Sequence, residues 1–339
     1  MIPGSTGTPW VAADQDELVA GATSREVVSR PDGKSGSTFE VVVIDGERYF
    51  LKSVSRADDW IMRVVGDLDY WPFQIWKAGV MDLAPRCIDH ATVGMALEGT
   101  GETARLSILM RDRARWLIPE GDDAVTMEQH RGFLTHMAEM HATLWGWRDQ
   151  LGLTPMPRRF LFFAPDNIAP ELRVEGDVPV PIRVADEGWR RLPTCAPELH
   201  KLVTAIHADP APLTAAIRTT PWTFLHGDWK MGNLGWDGDA GRTVLLDWAY
   251  PGEGPACYEL AWYLALNQAR IPETKEASIE AYRLALEHSG IETNGWWERQ
   301  LGLSLLGIMA AFAWEKAVGA EDELAWWEQR AVEGARWLG

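Results

Sequence analysis

Cysteine is scarce in this chain. Its three residues, Cys87, Cys195 and Cys257, lie far apart with no Cys-x-x-Cys pair. That pattern argues against a disulfide framework or a thiolate zinc site and fits a reducing, cytoplasmic setting. No run of about 18 apolar residues occurs, so no transmembrane helix is expected. The nearest candidate, LGLSLLGIMAAFAW (301–314), is too short and reads as a buried helix. The opening MIPGSTGTPW lacks a basic segment followed by an apolar one, so no signal peptide is expected. Positive charge is also in short supply: 32 Lys and Arg stand against 49 Asp and Glu, a net charge of −17. So acidic a surface repels nucleic acid and anionic membranes. It serves solubility or attracts a cationic ligand, and composition leaves both open. Internal repeats and low-complexity tracts are missing as well.

Apolar residues, by contrast, make up 46% of the 339 positions, enough for one large domain or two lobes. The 19 tryptophans supply core rings, with some to line an aromatic pocket. Residues 1–24 show weak periodicity and form an N-terminal segment. Then EVVSR, TFEVVVI (38–44) and RYFLKSV (48–54) read as strands, the last two joined by a hairpin at Asp45-Gly46. Residues 57–78 read as helical, with a break at Pro72. RCIDHATVGMALEG and TARLSILM (103–110) add two strands, so residues 25–111 form a small strand-rich lobe. Beyond it, residues 112–339 read as a mostly helical lobe. Thr126 and Gln129 form a capping box ahead of a helix with Phe133, Leu134, Met137, His141, Leu144 and Trp145 on one face. Residues 152–222 are proline-rich and read as an irregular insertion with helices near 196–208 and 211–218. TVLLDWA (243–249) is a short strand, and Pro255 starts a helix through about residue 268. Three more helices are expected near 275–289, 295–317 and 321–338. The class is α+β.

The chemistry is concentrated in FLHGDWKMGNLGW (224–236) and the strand after it. Asn233 and Asp247 are oxygen donors from different segments that can share a hard divalent cation, and Mg²⁺ is the usual choice with phosphates. Asp228 is then placed to accept a proton from a hydroxyl or to orient it. A base Asp, an Asn on the metal and a second Asp bridging metal and phosphates make up the division of labour of a kinase site.

HGDWKMGN (226–233) resembles the catalytic loop of the aminoglycoside phosphotransferase and choline kinase-like family, distant relatives of protein kinases. LLDWAYPGEGPACYELAWYL (245–264) resembles that family's metal-binding segment, and MAEMHATLW (137–145) its Leu-Ala-x-Leu-His-Ala helix. The likeness spans roughly residues 25–270. It implies a protein kinase-like bilobal fold, with a small antiparallel sheet in the nucleotide-binding N-lobe. The larger C-lobe would carry the catalytic loop, metal site and acceptor-binding helices. It further implies that Asp228 is the catalytic base, that Asn233 and Asp247 hold Mg²⁺, and that Lys52 contacts the α- and β-phosphates of ATP, or GTP. Met110, at the end of the lobe, falls with the nucleotide-binding set. His226 would brace the loop. Lys230 either stabilises charge on the transferring group or pairs with a carboxylate.

Three departures from the family pattern stand out. Glu259 takes the place of the Asp that braces the catalytic loop. No clear Glu on the N-lobe helix stands ready to pair with Lys52, only Asp67 and Asp69, of which Asp69 is the choice. The nucleotide loop PDGKSGST (31–38) is not a strict Gly-x-Gly-x-x-Gly, although Gly33, Ser35, Gly36 and Ser37 can offer backbone N–H groups. The expected acceptor is a small hydroxylated, amine-bearing molecule such as an aminoglycoside or amino-sugar. Indoles and carboxylates of the C-terminal helices would meet it, with Trp296, Trp314 and Glu315 as candidates. Another small alcohol, choline-like or a neutral sugar, and a non-catalytic ligand-binding member of the fold are the alternatives. A protein kinase is disfavoured, because no Ala-Pro-Glu segment follows Asp247 and Pro255 starts a helix eight residues on.

Overall fold

Asp45 and Gly46 both take positive φ, 51° and 83°, the pairing that turns a strand back in two residues. Around this hairpin the computed structural model, which describes residues 8–28 and 36–339, builds a six-stranded sheet. Its strands are β1 (Val11–Ala12), β2 (Ala22–Val28), β3 (Thr38–Ile44), β4 (Glu47–Ser55), β6 (Thr92–Glu98) and β7 (Arg105–Arg111). β5 (Ile88–Asp89) belongs elsewhere. The order is β1-β6-β7-β4-β3-β2, antiparallel except for β1 beside β6. Side chains alternate along β4. Leu51 joins Val42, Ile44, Ala96 and Leu109 in a core closed by Leu18 of the short helix α1 (Gln15–Leu18). Lys52 therefore points to the other face.

The expected helical stretch after β4 is two helices. α2 (Trp60–Val65) is capped by Asp59, whose Oδ1 accepts from Ile61 N–H at 2.8 Å, and it ends at Gly66 in the left-handed conformation. α3 (Trp71–Lys77) begins afresh with Pro72 in its first turn, where a missing N–H costs nothing. A second small sheet joins β5 to a hairpin of strands Leu234–Asp237 and Arg242–Leu245. By internal contacts the chain divides into two units: Met1–Pro119 with Met231–Ala249, and Glu120–Lys230 with Tyr250–Gly339.

The second unit is helical. α4 (Met127–Thr143) opens on the expected capping box, with Thr126 Oγ1 accepting from Gln129 N–H at 3.2 Å. α5 (Met156–Phe160) and α6 (Pro165–Ile168) follow, then α7 (Val180–Cys195), α8 (Pro197–Ala208) and α9 (Ala211–Arg218). α7 corrects the reading of residues 152–222 as irregular. Pro181 sits in its first turn and Pro193 in its last, so neither breaks the body, and Ile182, Ala185, Gly188 and Leu192 form a buried stripe. After a short pair of strands, Thr223–Leu225 and Gly252–Gly254, come α10 (Ala256–Leu266), α11 (Lys275–His288), α12 (Trp297–Ala317) and α13 (Glu321–Ala335). α12 is buried along most of its length, as its apolar run requires. Among the described residues no helix is long and apolar enough to cross a membrane.

Candidate active site

In the first unit the hairpin Leu234–Asp237/Arg242–Leu245 brings two expected metal ligands to one end. Leu234 faces Leu245, and Leu246 N–H donates to Asn233 O at 2.9 Å, so Asn233 and Asp247 flank the same ladder end. Asp247 holds φ at 58°, a conformation costly for a residue with a Cβ. Its Oδ1 accepts from the Lys52 ammonium at 2.7 Å, and its side chain stays 37% exposed. One carboxylate and one amide oxygen are hard donors that suit Mg²⁺, which fills its remaining positions with water and phosphate oxygens. Among the described residues no group of three or more His, Cys, Asp or Glu is gathered for a metal.

The pairing of Lys52 departs from expectation. The Lys52 ammonium pairs with Asp247 and not with Asp69, which is exposed, its backbone N–H donating to Asp67 Oδ1 at 3.1 Å and its carbonyl accepting from Gln74. The carboxylate of this region that feels the Lys52 charge is the buried Asp59. Burial pushes the Asp59 carboxyl up, against the Met62 N–H, the Lys52 charge and the Ile61 N–H. The sequence did not single Asp59 out; its sign was an Asp one residue before the apolar WIMRVV. Ser37 Oγ reaches Asp59 Oδ2 at 3.4 Å, and Gly36 lies so close to the Asp58 carbonyl that a Cβ would collide with it. Gly33 and Ser35 lie outside the described residues. Met110 sits half-buried on β7, in register with Phe50.

In the second unit the loop after strand Thr223–Leu225 is held from below by Glu259 on α10. Gly227 N–H donates to Glu259 Oε1, and His226 N–H donates to Oε2 at 3.2 Å. The same Oε2 meets His141 Nε2 at 2.8 Å, and His141 Nδ1 meets the Tyr282 hydroxyl at 2.5 Å. His141 is thus a satisfied buried histidine, as its place on the apolar face of α4 suggested. Burial acts to raise the Glu259 pKa. The His141 hydrogen bond and charge, together with the Gly227 N–H, outweigh it and leave the carboxyl below its ordinary range. His226 turns inward, and its Nδ1 accepts from Asp228 N–H at 3.2 Å.

Asp228 is 1% exposed, and both its oxygens are engaged. Oδ2 accepts from the Lys230 ammonium at 2.7 Å, and Oδ1 accepts from the Trp262 indole N–H at 3.1 Å. Trp262 escaped the sequence reading, because a tryptophan inside ACYELAWYLAL looks like core. It is the middle of an aromatic chain. Its ring meets Phe312 edge-on at 4.9 Å, and Phe312 and the half-buried Phe163 both meet Trp314. Phe163 has φ of 58°, and its carbonyl accepts from Trp189 Nε1–H at 2.7 Å. Of the acceptor candidates, Trp314 therefore lies in the aromatic set that reaches Asp228. Glu315 pairs with Lys316 at 2.8 Å. Trp296 belongs to a different cluster, with Trp145 at 5.7 Å and Trp297 at 5.9 Å.

The sequence profile described as "Phosphotransferase enzyme family" matches residues 27–292. No curated protein matches the chain. Among solved structures, a microcompartment-associated aminopropanol kinase is 11% identical, covering 92% of this chain and 90% of its own at TM-score 0.50. LicA in complex with AMP is 12% identical, with 94% of each chain covered at TM-score 0.50. Choline kinase LicA from Streptococcus pneumoniae, at 10% identity, covers 95% of this chain and 96% of its own at TM-score 0.49. At these identities the likeness concerns the fold, which is α+β and protein kinase-like: an antiparallel-rich N-terminal sheet followed by a helical C-terminal part.

Proposed function

We propose that this chain, which belongs to the phosphotransferase enzyme family, transfers the γ-phosphoryl group of ATP to a hydroxyl of a small, amine-bearing acceptor. The observation that carries the reading is Asp228: a buried carboxylate with both oxygens fixed, on a loop whose backbone is pinned by Glu259. In this account the strand-rich residues 25–111 bind the nucleotide, and residues 112–339 carry the catalytic loop, metal segment and acceptor helices. Lys52 steadies the α- and β-phosphates. Asn233 and Asp247 hold Mg²⁺, which supplies positive charge to the phosphate oxygens. Asp228 takes the proton of the attacking hydroxyl as its oxygen bonds to the γ-phosphorus and the bond to the β–γ bridging oxygen breaks, releasing ADP. Lys230 shifts from Asp228 toward the charge that develops on the phosphoryl oxygens.

The acceptor class rests on two supports. The net charge of −17 favours a cation, and the half-buried Phe163, backed by the buried rings of Phe312 and Trp314, is the ring of this set left partly open to an ammonium. The aminopropanol of the kinase named above is itself an amine-bearing alcohol. The test is ADP release by purified protein with ATP and Mg²⁺, across amino-alcohols, amino-sugars, aminoglycosides and neutral sugars. Turnover confined to amine-bearing alcohols supports the reading, neutral sugars alone would correct the acceptor class, and no turnover with any acceptor would overturn it. The site is proposed to work in the cytoplasm, where ATP is available.

A further inference from the structure

Arg159, near the end of α5, is 0% exposed. Its Nη2–H donates to Tyr250 O at 2.7 Å, while Nε and Nη1 find no hydrogen-bond partner among the described residues. Burying a guanidinium this way is costly unless nearby negative charge compensates. Burial lowers its pKa to about 10, against the opposing charges of Glu259 and Asp149. Two glycines make room for it. A Cβ on Gly227, where φ is 88°, would lie 2.7 Å from Arg159 Nη1 and would also collide with Tyr250 O. A Cβ on Gly252 would lie 3.2 Å from Nη2 and 2.8 Å from Thr154 O. The carbonyl that Arg159 grips is therefore the one that presses on Gly227, and Gly227 gives its own N–H to Glu259.

We propose that Arg159 is a positioning residue for the catalytic loop: its guanidinium and the Glu259 carboxylate together fix the Gly227 peptide and so the placement of Asp228. A charge kept in the core for packing alone could be replaced by an apolar side chain of similar volume with little loss. A charge kept for positioning could not. The effect on turnover rests on the role proposed for Asp228, whereas the hold on the loop does not.

The experiment uses the full chain with Arg159→Met and Arg159→Lys, reading steady-state kinetics and native-state hydrogen exchange. Lost transition-state alignment lowers kcat and leaves ground-state nucleotide binding alone. Arg159→Met is expected to lose about tenfold or more in kcat, with the KM for ATP within about threefold. Arg159→Lys, which keeps the charge, should recover part of that loss. Exchange of the segment 224–230 should quicken about tenfold in Arg159→Met while α12 is unchanged. Equal losses in both variants, unchanged exchange at 224–230, or unfolding of both would overturn the proposal and leave Arg159 a packing residue. If the wild-type protein transfers no phosphate, the proposed function fails, and exchange alone still decides the role of Arg159.

Discussion

The indole N–H of Trp262 donates to Oδ1 of Asp228 at 3.1 Å, from α10 to a loop 34 residues earlier in the chain. A hydrogen bond to a buried charge is worth roughly 1.5–3 kcal/mol, and this one fixes which oxygen of Asp228 faces the Lys230 side. Trp262→Phe keeps the ring and removes the bond. It should lower kcat by roughly tenfold or more, since about 1.4 kcal/mol is a factor of ten, with little change in the KM for ATP. Unchanged kcat in steady-state assays would show the bond to be incidental.

Glu259 accepts two loop N–H groups and meets His141, all out of reach of water. Glu259→Gln keeps one acceptor oxygen and puts an amide where a carboxylate stood. Breaking a buried charged set by changing one partner costs roughly 3–5 kcal/mol. Urea denaturation should show a loss of about that size. A change under about 0.5 kcal/mol, the range of ordinary surface substitutions, would contradict the role of Glu259 as the anchor of the loop.

Asp67 gives a pH dependence. Burial pushes its carboxyl up to about 7, although Trp71, Asp69 and Tyr70 N–H groups favour the charged form. Unfolded, it titrates near 3.9. The folded state thus binds the extra proton between these values, and its stabilising contribution, complete below about pH 4, is lost as pH rises through about 7. Melting temperature should fall across that window in the wild type. Asp67→Asn should flatten this part of the profile, and identical slopes would refute the assignment.

Gly188 marks the crossing of α7 and α12, where a Cβ would collide with Trp314 O. Gly188→Ala should therefore destabilise the protein by about 1–3 kcal/mol through overpacking, despite the better helix propensity of alanine. A gain in stability by thermal denaturation would show that the two helices stand farther apart.

Local patterns carried much of this fold. The Asp45-Gly46 turn, the Thr126–Gln129 capping box and the 3.6-residue stripe of α4 are set by neighbours in sequence, so the chain spells them out. The polar cluster of HGDWKMGN was legible for the same reason. α7 was hidden by prolines whose effect depends on which turn of a helix they occupy. Trp262 and Arg159 were hidden because their partners lie 34 and 91 residues away, and only the folded chain shows that a core tryptophan and a core arginine face the catalytic loop. Asp59 was hidden because it lies between the end of β4 and the start of α2, a boundary that periodicity places only loosely.

Asp228 is proposed as the base of an ATP-dependent transfer to a small alcohol. The most direct measurement compares ADP release by the wild type and Asp228→Ala with an accepted alcohol, alongside nucleotide binding by calorimetry. Asp228→Ala should lose about a thousandfold in turnover, the middle of the range for general-base catalysis, while ATP still binds. Wild-type turnover in Asp228→Ala would contradict it.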